Sequence, residues 1–173
     1  MSPLPEFAFA VNRNPALAVG LPIILGIAGN YVTSEIRAKR TGQAPKAVCP
    51  PHPAFSYIWM AASGLTGYAA HLTVRAFDAA PTPQTTEDAS NALLLYYAQL
   101  GLQLLWEPLF VGQNQKQAAL ANSVALLGTA VTMAVKMSDL VVAPMNTNWF
   151  TVPYCAWIAY TTFLNARVVL AEQ

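Results

Sequence analysis

Three long stretches of this chain are almost free of charge, and they limit what it can fold into. Between Lys46 and Arg75 there is no Lys, Arg, Asp or Glu, and between Asp139 and Arg167 again none. Between Asp88 and Lys116 there is only Glu107. A helix needs about 20 mostly apolar residues to cross a hydrocarbon layer about 30 Å thick, and each stretch supplies them. Only 10% of the 173 residues are charged, against about 25% in an ordinary soluble domain. The net charge of +1 offers no electrostatic footprint for nucleic acid, which is excluded as a partner. The expected partner is the lipid bilayer.

Five segments emerge: about 15–36, 54–77, 92–112, 117–140 and 149–170. The expected fold is all-α, an integral membrane bundle of five transmembrane helices spanning 15–173, with 1–14 as an N-terminal tail. Segment four is the weakest, because Lys136 and Asp139 lie near its end; dropping it would give four spans. Those charges can snorkel to the interface, so five is the better count. The stretch Ala79 to Ser90 reads as an exposed polar loop. Gly112 to Lys116 is a short link, which implies antiparallel neighbours on either side. Residues 1–15 lack the basic start and cleavage site of a secretory signal.

Lys and Arg near the helix ends set orientation. Arg37, Lys39, Arg40, Lys46, Lys116 and Arg167 collect on one side, and Arg13, Arg75 and Lys136 on the other. The bias expects the first loop and the C-terminus in the cytosol. The cysteines, Cys49 and Cys155, have no framework spacing and are read as free thiols.

Candidate chemistry is sparse. Glu107 is a possible functional acid, since a carboxylate at membrane depth is costly; Pro108 beside it offers the other reading, a helix end reaching the headgroups. His52 and His71 lack the partners of a metal site and are read as interfacial. There is no phosphate loop, no Ser-His-Asp pattern and no acidic pair. No segment shows a continuous polar stripe, which argues against an ion or solute channel. Trp59, Trp106 and Trp157 lie within segments rather than at their ends, where interface belts put them. With Phe55, Tyr96, Tyr97 and Tyr154 they form either a packed core or the lining of a flat apolar cavity suited to a planar ligand. The residues alone leave both open.

Three blocks carry a resemblance. The first is Pro50-Pro51-His52-Pro53-Ala54-Phe55, followed by Trp59. The second is Tyr97-Ala98-Gln99-Leu100, then Gln103, then Trp106-Glu107-Pro108-Leu109-Phe110. The third is Val152-Pro153-Tyr154, then Trp157 and Leu164-Asn165. Their order and their places on segments two, three and five resemble the tryptophan-rich sensory protein or translocator protein family (TspO, the peripheral benzodiazepine receptor). The resemblance covers most of the chain from about residue 20. This chain departs from the family at Pro53, where Trp is usual, and at Gln103, where Asn is usual. Six residues separate Tyr160 from Arg167, so the sterol-recognition pattern of animal members is not met.

The resemblance implies a five-helix bundle, commonly a homodimer, with a ligand cavity near the first loop. It implies a receptor or carrier for a planar hydrophobic molecule, with a porphyrin such as haem first and a sterol second, and no obligatory cofactor. Pro50 and Pro51 would shape the loop over the mouth. Phe55, Trp59, Trp106 and Trp157 would supply apolar surface and Gln103 a hydrogen bond. Pro153 and Tyr154 would set the geometry of the last helix, and Asn165 would bond between helices. In eukaryotes the resemblance implies the outer mitochondrial membrane. The alternatives are a light- or oxidant-dependent porphyrin-degrading enzyme using Trp59 and Trp157, and a structural membrane protein without a small ligand.

Overall fold

The computed structural model describes residues 4–41, 53–109, 115–140 and 143–171 of the chain. Pro50 and Pro51 lie outside these residues, with Cys49 and His52. The described residues form helices and no strands: α1 (Glu6–Arg13), α2 (Pro15–Thr41), α3 (Pro53–Asp78), α4 (Pro83–Glu107), α5 (Lys116–Ser138) and α6 (Asn148–Leu170). Helices α2 to α6 correspond to the five expected segments.

The count is therefore six among the described residues, not five. The added helix, α1, lies in the stretch expected to be a tail. Pro5 precedes it in extended conformation, Glu6 occupies its first turn and Arg13 its last, so its end charges complement the helix dipole. Ala8, Phe9 and Asn12 are its buried face. Asn14 then separates it from α2. Its backbone is extended, as a residue before proline prefers, and its side-chain oxygen accepts from the amides of Ala16 at 2.9 Å and Leu17 at 3.4 Å. Asn14 thus caps α2, Pro15 fills the first helical position where no amide is missed, and the two helices meet at a 107° bend.

A second correction concerns α4. It begins at Pro83, so most of the expected loop Ala79 to Ser90 is helix. Thr82 accepts from the amide of Thr85 and Pro83 follows it, a start signal that outweighs the polarity of the next two turns. A third concerns the segment ranked weakest. Among the described residues, α5 is the one helix long and apolar enough by itself to cross a membrane, and α1 with the first half of α2 is a bent pair that also qualifies. Lys136 lies in the last turn of α5 and leaves the apolar window before it intact.

Helices α3, α4 and α6 are long enough but carry polar side chains, and those side chains face inward. Ser63, Thr66, His71, Thr73, Gln99, Gln103, Thr151 and Asn165 are buried. Ile24, Ile27, Leu94, Leu105, Val124, Val131, Val135, Val152 and Phe163 are exposed. A soluble monomer rarely exposes so much apolar surface. Polar groups inside and aliphatic groups outside are what a bundle surrounded by hydrocarbon requires.

The helices form a ring in the order α2, α3, α6, α5, α4, closing from α4 to α2. Helix α1 packs across α3 and α2 at one end. There Phe9 joins Ala69, Ala70, Val74, Leu93, Tyr96 and Met133 in one apolar cluster. A second cluster, Ala62, Leu126, Ala130, Tyr154 and Ile158, lies toward the other end. Charges sit at the ends: Arg13 pairs with Asp78 at 2.7 Å, and Lys136 lies 3.9 Å from Asp88. The backbones of α2 and α3 come close at Gly67. A Cβ there would lie 2.1 Å from the carbonyl oxygen of Ala18, so glycine alone permits α2 and α3 to touch.

Candidate functional site

Trp59 and Trp157 meet across the α3–α6 contact, their ring centroids 6.5 Å apart and edge to face. That geometry suits the quadrupoles of two aromatic rings. Both rings are partly buried and pack on the second apolar cluster with Leu102 of α4 and Leu127 of α5. Tyr160, one turn along α6, extends the aromatic surface with its ring 5.7 Å from Trp157. Gly26 of α2 faces the indole nitrogen of Trp59: a Cβ there would come to 4.0 Å.

Gln103 supplies the polar element. It is 7% exposed and its Nε2 donates to the hydroxyl of Ser63 at 3.3 Å, while its Oε1 has no partner among the described residues. Trp106 is half-buried on α4, three residues beyond Gln103. Phe55 and Glu107 belong to the end turns of α3 and α4, and their side chains lie outside the described set. The structure thus brings Trp59, Trp157 and the Gln103 region together from three helices, near the end of the bundle to which α3 begins and α4 runs.

Behind this group lies a polar interior that sequence reasoning missed. Tyr154 donates its hydroxyl proton to Oε1 of Gln99, and both are buried. On α4, Tyr96, Gln99 and Gln103 recur at a helical spacing that puts them on one face, so this helix does carry a short polar stripe. Tyr97 turns toward α1: its hydroxyl accepts from Nδ2 of Asn12 and donates to the carbonyl of Ala8, both at 2.8 Å. His71 places Nδ1 2.8 Å from the carbonyl of Asn12, so this histidine ties α3 to α1. Between α6, α5 and α4, Asn165 donates to the hydroxyl of Ser123 at 3.0 Å, and Asn122 to the carbonyl of Leu102 at 2.9 Å. Pro153 removes one backbone bond from the second turn of α6, directly before Tyr154. Cys155 is a free, half-buried thiol.

A separate groove of about 420 Å³ runs between α2, α3 and the start of α6, lined by Val19, Ile23, Ala61, Gly64, Tyr68 and Phe150 among others. None of its lining residues belongs to the aromatic group expected to hold a ligand. The pairing of Ser63 with Gln103 had one sequence signal, a serine one turn from Trp59 in an otherwise apolar run.

Comparison with known proteins agrees with this architecture. The model of the TspO/MBR family matches residues 18–170. The "Translocator protein homolog" of Schizosaccharomyces pombe is 36% identical over 116 residues, 67% of this chain and 66% of that protein. The human "Translocator protein" is 29% identical over 153 residues, 87% of this chain and 86% of that protein. The pig "Translocator protein" is 28% identical over 152 residues, 86% of this chain and 85% of its own length. No solved structure matches. A family match over nearly all of the bundle, on a chain that turns its polar side chains inward, places this protein in the TspO/MBR family of membrane proteins.

Proposed function

We propose that this protein is a membrane receptor or carrier for a planar hydrophobic molecule, a tetrapyrrole before a sterol, held against Trp59 and Trp157. The observation that carries the reading is the meeting of these two rings, 6.5 Å apart, beside a buried glutamine with an unused acceptor. Flat apolar faces stack on aromatic rings, and one placed polar group orients what binds there. The orienting group is Gln103: its free Oε1 accepts from an N–H or O–H of the ligand. A free-base porphyrin offers pyrrole N–H groups and a sterol offers a hydroxyl. Trp106, Phe55 and the Pro50-Pro51 segment complete the mouth of the site, and the bundle acts as a homodimer. The first loop and the C-terminus face the cytosol, following the Lys and Arg bias, in the outer mitochondrial membrane of a eukaryotic cell.

Equilibrium titration of the purified protein with protoporphyrin, followed by the porphyrin absorbance band, tests this. Saturable binding weakened about tenfold by Gln103→Leu, about 1.4 kcal/mol, supports it. Binding indifferent to that substitution removes Gln103 from the site. Loss of the absorbance band with a new product under illumination would instead favour the enzymatic alternative.

A further inference from the structure

We propose that α1 is the removable stopper of a hydrated polar column inside the bundle, closing it at the end away from the tryptophans. The column is built from side chains of α1, α3, α4 and α6. Asn12 bonds to Tyr97, whose ring centroid lies 5.2 Å from that of Tyr96. Tyr96, Gln99 and Gln103 share one face of α4, a climb of about 10 Å at about 1.5 Å per residue. Tyr154 bonds to Gln99 from α6, and Ser63 meets Gln103 from α3.

Four of the buried side-chain atoms that have no hydrogen-bond partner among the described residues belong to these side chains: Oδ1 of Asn12, the hydroxyl of Tyr96, Nε2 of Gln99 and Oε1 of Gln103. Buried polar atoms are satisfied in the great majority of proteins, by protein or by ordered water. Four on side chains linked in this way, within a bundle whose outside carries many aliphatic groups, mark sites for water molecules held two or more hydrogen bonds at a time.

Helix α1 is built to leave. It turns 107° from α2 at a single residue, Asn14, and it is eight residues long. Its hold on the bundle is part apolar, through Ala8 and Phe9, and part polar. Tyr97 grips Asn12 and the carbonyl of Ala8, His71 reaches the carbonyl of Asn12, and the guanidinium of Arg13 takes both oxygens of Asp78 at 2.7 and 3.0 Å. Water can replace each of these bonds when α1 swings out. The apolar contact that must be given up is that of Ala8 and of Phe9, whose ring lies 4.6 Å from that of Phe77 and packs in the apolar cluster with Val74, Leu93 and Met133.

The test uses the full chain in lipid nanodiscs, with Cys49→Ser and Cys155→Ala removing the native thiols. Thr66→Cys reports from the interior, because Thr66 is buried on α3 and its hydroxyl bonds within its own helix, to the carbonyl of Ser63. A charged methanethiosulfonate reagent moves through water and not hydrocarbon. Modification is read by mass on the peptide carrying position 66. Releasing the latch with Asn12→Ala/Arg13→Ala is expected to raise the rate at least tenfold. Closing it with an oxidised Phe9→Cys/Phe77→Cys pair is expected to lower the rate at least tenfold. A rate unchanged by both overturns the proposal. Hydrogen exchange on the unaltered chain gives a second reading free of folding defects in the variants. Amides of α1 are expected to exchange at least a hundredfold faster than those at the centre of α3, and equal protection of the two overturns the proposal.

Discussion

At the scale of single residues, the bundle depends on one absent side chain and one buried pair. Gly67 lets the backbone of α2 lie on that of α3, and the atom it spares is a carbonyl oxygen that cannot rotate away. Gly67→Ala must push the helices apart, and we expect a loss of about 1–3 kcal/mol, the usual cost of overpacking. Gly101→Ala is the control: nothing lies within 4 Å of a Cβ there, and the gain in helix propensity is up to about 1 kcal/mol. Thermal unfolding in detergent should separate the two by sign. Gln99 and Tyr154 form the buried pair. Tyr154→Phe strands Oε1 of Gln99 and is expected to cost about 1–3 kcal/mol. Adding Gln99→Leu should cost less than the sum of the two single changes, as contacting groups do. A double-mutant cycle by the same unfolding assay would show this, and strict additivity would mean that the bond contributes nothing.

At the scale of elements, helices α2 to α6 were legible as charge-free or nearly charge-free windows. Their ends were less so, because Pro83 and Thr82 start α4 outside the apolar part, where hydropathy gives no warning. Helix α1 was lost for a related reason. Glu6, Asn12 and Arg13 look like a polar tail, and only the order of Pro5, an acid in the first turn and a base in the last turn hints at a helix. Its docking also carries a pH signature. At the aqueous end of α3, the hydrogen bond from Arg13, aided by its charge, holds the Asp78 carboxyl below its ordinary range, with partial burial opposing. A folded pKa below the unfolded one means stabilisation that is fully present above about pH 3.9 and lost as pH falls through the folded value. We therefore expect the melting temperature of the wild type to drop more steeply below about pH 4 than that of Asp78→Asn. Parallel curves would show that the pair adds no stability. High salt should shrink the difference, since the pair is exposed and screened.

At the scale of the whole molecule, family membership and the inside-out distribution of polarity agree on a membrane bundle. The sequence named Trp59, Trp157 and Gln103 but could not show that two of them touch. That contact depends on α6 lying next to α3 in the ring, which residue spacing along one helix does not encode. Ser63 and the Asn12–Tyr97–His71 group were hidden for the same reason, each being made of partners from different helices. The central claim is that a planar ligand lies against the tryptophan pair, and the most direct measurement is a titration with protoporphyrin followed by tryptophan fluorescence. It should be run on the wild type and on a folded Trp59→Ala/Trp157→Ala variant, in which Trp106 and Trp149 still report. The account predicts saturable quenching in the wild type and its loss in the variant; no saturable quenching, or quenching of the same affinity in both, would contradict it.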